Sequence, residues 1–218
     1  MKAAVPILIV SLVASTQAQK QPERRVERNV ITSDQGTKVR IELPAEAKYL
    51  GAERWDLYGV ADCELHLWVE AEADKTVKRL YWVQFEAFLS SQPDKRYNYP
   101  FTRTARLDGR DFDVRTGVAV NSTRPQRADS DGGHVWAMLE AAGYRLPPET
   151  LNVRLVYLPD PDKRTELMLI YMEDLKPSGF AAADLRRGGK AAGQLPALEN
   201  AILERVTRRV KLSPVPVR

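Results

Sequence analysis

Hydrophobic and polar positions alternate with a period of two over several stretches of the chain, and each such stretch predicts a strand with one buried face. The first is TKVRIEL (37–43), ended by Pro44. Residues 62–71 and 77–89 alternate on either side of Ala73-Asp74-Lys75 and predict a hairpin. Residues 96–106 and 110–120 predict a second hairpin around Asp108-Gly109, a pair that favours a tight type I′ turn. Residues 151–158 and 165–175 predict a third, joined by the turn formers PDPDKR. Its strands are apolar on both faces, with Leu151, Val153, Leu155 and Tyr157 backed by Val156 and Leu158, so they belong near the centre of a sheet covered on both sides. Residues 45–58 show no clean period and are compatible with short helical turns.

A helical period appears in three places. Ser130 caps a helix running through Ala142, with Val135, Met138 and Leu139 on its core stripe and Gly143 suited to the left-handed position after its end. A short helix is expected over 181–187. A longer one, over 196–211, carries Leu198, Ile202, Leu203 and Val206 on one face and Pro196 in its first turn. Together these elements predict an α+β domain: an antiparallel sheet of three hairpins and about six or seven strands, one middle helix, and a C-terminal helix packed on the sheet. The regular alternation of strands and helices that a doubly wound sheet requires is absent.

The start of the chain changes the picture of where this domain works. Lys2 precedes an apolar run over 3–14, and Thr16-Gln17-Ala18 follows as a small-x-small cleavage site. This predicts a signal peptide over 1–18 and an exported protein, periplasmic or secreted and bacterial in character. A flexible lead-in is expected over 19–29, a single domain over 30–212 and an extended tail over 213–218. The apolar run is too short to span a bilayer, so no transmembrane segment is expected. Cys63 is the only cysteine, which excludes an intrachain disulfide, and the sequon at Asn121-Ser122-Thr123 is read as chance.

Charge adds little. The chain has 33 basic and 29 acidic residues, interspersed, for a net charge of +4. The segment over 95–115 interleaves Lys95, Arg96, Arg103, Arg106, Arg110 and Arg115 with Tyr97, Tyr99, Phe101 and Phe112. Asp94, Asp108, Asp111 and Asp113 dilute it, so a salt-bridged face is expected there and no nucleic-acid partner.

The candidate chemistry lies in the first hairpin, 61–89. Pairing apolar with apolar positions across its turn puts Cys63, Leu65 and Leu67 with Tyr81, Val83 and Phe85 in the core. The opposite face then gathers Glu64, His66, Trp68, Trp82, Gln84 and Glu86. Indoles around an imidazole, an amide and carboxylates form the mixed wall that a polar ligand uses. The leading expectation is a non-catalytic domain binding a small molecule or envelope partner through His66, Trp68, Trp82, Gln84 and Glu86. One alternative is an acid/base enzyme using His66 with Glu64 or Glu86; another is a protein-interaction module of an envelope assembly. Cys63 and His66 point to opposite faces and cannot act as a local pair, so Cys63 is read as an inert buried thiol. His134, after Gly132-Gly133 in the first turn of the middle helix, is a weaker anion-site candidate and is expected to be partly exposed. Glu173 and Asp174, with Asp160 or Asp162, are the acidic groups a cation could meet. Two histidines are too few for most zinc sites, and no metal or cofactor is expected.

Overall fold

The alternating stretches do become strands, and they close into two antiparallel sheets. The computed structural model describes residues 20–121 and 127–216. The expected signal segment over 1–18, Ser122 and Thr123 of the sequon, and the last two residues of the tail lie outside the described residues. The smaller sheet contains β1 (Arg25–Glu27), β2 (Val30–Ser33), β3 (Val39–Glu42) and β11 (Lys211–Ser213), in that spatial order. The larger has seven strands: β4 (Lys48–Leu57), β5 (Ala61–Ala71), β6 (Val77–Phe88), β7 (Arg103–Leu107), β8 (Arg110–Val120), β9 (Glu149–Tyr157) and β10 (Thr165–Asp174). Their order across the sheet is β4-β5-β6-β10-β9-β8-β7. Three α-helices accompany them among the described residues: α1 (Asp131–Ala141), α2 (Ala182–Leu185) and α3 (Leu195–Arg209). The fold is therefore dominated by sheet, with a C-terminal helix.

The seven-stranded sheet is buried on both faces. On one face Trp68, Val83, Phe85, Leu155 and Leu169 pack with Ile41 of the small sheet and with Ile202 and Val206 of α3. On the other, Leu65, Leu67, Leu80, Trp82 and Met168 pack beneath Val135 and Leu139 of α1. This explains the double-sided apolarity of the third hairpin, whose β10 occupies the middle of the sheet.

Four local features depart from expectation; in one, the strand expected over 96–106 forms only over Arg103–Leu107. Within 45–58 the chain forms β4, whose alternation is hidden by a register shift between Tyr49 and Gly51; Gly51, at φ 137°, takes a conformation that residues with a side chain avoid. The lead-in contributes β1, paired with β2, and Lys20 bridges Arg54 of β4. Ser213, the first residue of the expected tail, ends β11, where Leu212 lies opposite Ile41.

The register of the first hairpin is the largest correction. At the turn Ala71 lies opposite Val77, the parity expected from the sequence, but the next pair is Glu70 with Arg79. Lys78 is left over as a bulge, and that one residue exchanges the faces of β6 for the rest of its length. Leu65 now faces Gln84, Leu67 faces Trp82, and Trp68 faces Tyr81. Because both sheet faces are covered, matching apolar with apolar positions did not distinguish the two registers.

Candidate functional site

The slip divides the residues expected on one wall between two faces. Glu64, His66 and Trp68 lie with Tyr81, Val83 and Phe85 on the face toward α3, whereas Trp82, Gln84 and Glu86 lie with Cys63 and Leu65 on the face toward α1. Glu86 therefore cannot orient His66.

On the α3 face the imidazole is locked. His66 has no exposed surface; its Nε2 is 2.8 Å from Glu64 Oε1 and its Nδ1 is 3.0 Å from the Tyr49 hydroxyl. Glu64 also accepts the backbone N–H groups of Glu23 (2.7 Å) and Arg24 (2.9 Å) and the Arg24 guanidinium at 3.0 Å. Burial alone would raise this carboxyl. The His66 hydrogen bond, the two backbone donors and the Arg24 charge outweigh that and hold it near 2. His66 does meet a carboxylate, as the enzyme alternative requires. Yet both ring nitrogens and both carboxylate oxygens are already engaged, and the group fastens the N-terminal segment to β5.

The α1 face holds a different arrangement. Trp82 Nε1 donates to Gln84 Oε1 at 2.8 Å, Gln84 Nε2 donates to Glu86 Oε2 at 3.0 Å, and the Tyr97 hydroxyl donates to Glu86 Oε1 at 2.7 Å. Glu166 stands directly opposite Glu86 on β10 and accepts the Tyr99 hydroxyl. Arg154 NH2 is 3.2 Å from the Tyr99 hydroxyl and 3.8 Å from Glu166. Asp131 enters from the first turn of α1, where Ser130 caps the helix by accepting from Gly133 N at 3.1 Å. Burial, then the charge of Glu86, pushes Asp131 up to about 6 and Glu166 up to about 7. Burial, then Glu86, also drives the Cys63 thiol well above its ordinary range, so it is a protonated, unreactive group.

Cys63, Glu86 and Asp131 place one donor atom each within 4.8 Å of one another, and they are the side chains here that could hold a metal ion. Three donors supply one fewer than a structural zinc site uses, and neither histidine joins them. His66 is on the other face; His134 stacks on Trp55 at 3.9 Å, and its Nδ1 is 2.7 Å from Glu53. His134 is partly exposed, as expected.

Two adjoining cavities open along this face and share Trp82 and Gly132. One, of about 460 Å³, lies between Asp131 and Arg154, with Met168, Ile170 and Tyr58 as apolar walls and Arg127 at its side. The other, of about 520 Å³, is lined by Val118, Val135, Trp136, Leu146 and Met172, with Asn152 and Arg186 as polar groups. Asp131 Oδ1, Asn152 Oδ1 and Arg154 Nε are shut off from solvent without a hydrogen-bond partner among the described residues.

Sequence reasoning missed Asp131, Arg154 and Glu166. The last two carried a signal, since each is a lone charge within an apolar strand, in LNVRLVYL and TELMLIYM. Tyr97 and Tyr99 were grouped with the basic segment as a surface feature. They turn inward instead, while Arg106 pairs with Asp111 and Arg110 with Asp108 at the surface. Compared with protein-family models, curated proteins and solved structures, the chain shows no match.

Proposed function

We propose that the mature chain is an exported, non-catalytic α+β domain built around three hairpins, and that it binds a small polar molecule in the groove between α1 and the seven-stranded sheet. One observation carries this reading: Asp131 and Arg154, of opposite charge, flank a cavity whose floor is Trp82 and whose walls are apolar. Such a site combines flat apolar contact with a few directed polar groups, the composition that small-molecule sites share. Of the residues expected to bind, Trp82, Gln84 and Glu86 belong to this face, and His66 and Trp68 act in the opposite core. A small molecule is favoured over a protein partner because Tyr58, at 53% exposure, is the only large exposed hydrophobic side chain among the described residues. The acid/base alternative is disfavoured by the sealing of His66 and Glu64.

Native mass spectrometry of the chain taken from its own host tests the reading. The wild type is expected to carry a non-covalent adduct that Trp82→Ala and Arg154→Ala both lose. An adduct retained by both variants, or a wild type that carries none, contradicts it.

A further inference from the structure

Resting on that reading of the groove, we propose that its ligand is a small amphipathic anion, with its acidic head between Arg154 and the first turn of α1 and its apolar body against Trp136, Leu146 and Met172. The two cavities differ in character, and a ligand spanning Trp82 and Gly132 meets both. At the first, Arg154 offers a guanidinium whose NH2 meets Tyr99 and, at 3.8 Å, Glu166, and whose Nε lacks a partner among the described residues; Arg127 stands beside it, held by Asp129. Arg115 lies opposite Arg154 on β8, adding positive charge on the same face. Ser130 takes up the N–H groups of Gly133 and His134, whereas those of Asp131 and Gly132, which precede the first intrahelical partner, meet no acceptor among the described residues. The second cavity is walled by Val118, Val135, Trp136, Leu146 and Met172, and suits a hydrocarbon or ring.

Charge complementarity sets the sign of the head. Three arginines (Arg127, Arg154 and Arg186) line the two cavities, against one carboxylate. That carboxylate, Asp131, has one oxygen within 4.8 Å of donor atoms of Cys63 and Glu86, and its Oδ1 is shut off from solvent. A guanidinium and free helical N–H groups match a carboxylate or phosphate head and repel an ammonium head.

The test uses straight-chain carboxylates below their micellar concentrations, followed by tryptophan fluorescence and by the thermal midpoint of the wild-type chain. Affinity is expected to rise from acetate to hexanoate to decanoate, by roughly tenfold or more over the last step. Decyltrimethylammonium, with the same tail and the opposite charge, is expected not to bind. Arg154→Gln is expected to weaken decanoate at least tenfold, and Trp136→Glu, at a partly exposed position of α1, to abolish the chain-length dependence while leaving the fold intact. Equal binding of the cation, no dependence on chain length, or no response to any carboxylate overturns the proposal. A native adduct that persists alongside a silent carboxylate series overturns this inference alone and leaves the binding groove standing.

Discussion

Glu86 on β6 and Glu166 on β10 face each other across neighbouring strands, both buried, each accepting a tyrosine hydroxyl from the segment that follows β6. Burial, and then the charge of Glu86, disfavour the ionised form of Glu166. The pair lies buried on the same sheet face as the groove, whose smaller cavity is lined by Asp131 and Arg154.

Stability should fall as pH rises through neutrality. Glu166 has an ordinary value of 4.5 and a folded value of about 7, so the folded state binds the extra proton between them. Its contribution is complete below 4.5 and is lost as pH rises through 7. Glu166→Gln, which stays neutral, should be more stable than wild type at pH 8 by on the order of 2 kcal/mol and show a flatter profile. Urea unfolding across that range checks this; an unchanged slope contradicts it.

Glu64 behaves in the opposite sense. Its folded value of about 2 lies below the ordinary 4.5, so its contribution is present above 4.5 and lost as pH falls through 2. Glu64→Gln removes the buried carboxylate that pairs with the half-buried Arg24, leaving only Glu23 at 3.8 Å among the described residues, and should cost about 3 kcal/mol at pH 7. In a urea titration that difference should shrink toward pH 2, and a variant as stable as wild type at neutral pH would refute the role assigned to the pair.

Cys63 should be silent in the native state. With no exposed surface and a thiol held protonated, it is expected to resist an aromatic disulfide reagent until the chain is unfolded, and then to react stoichiometrically. Rapid labelling of the folded protein would mean that the α1 face opens.

Export is tested by mass. Expressed with its leader in a bacterial host, the chain should be recovered outside the cytoplasm with a mass that begins at Gln19; a cytoplasmic product beginning at Met1 would contradict the reading of residues 1–18.

Much of the fold was legible because its strands are long and patterned. β5, β6, β8, β9 and β10, and helices α1 and α3, arise where periodicity places them. What escaped depends on single residues or on pairing between distant segments. The bulge at Lys78 reverses the faces of β6, and nothing local to Lys78 announces it. Gly51 similarly hides β4. β1 and β11 have three residues each, too few for any period, and exist because partners pair with them. The candidate site was half legible: the aromatic and polar residues of β6 were found, but the residues completing their face come from β9, β10 and α1, joined only by tertiary structure.

The most direct test is a crystal structure of the chain isolated from its own host. A bound molecule between Asp131 and Arg154, lying over Trp82, is the predicted result. A groove filled only with ordered water, or with α1 packed flat onto Trp82, would contradict the central claim.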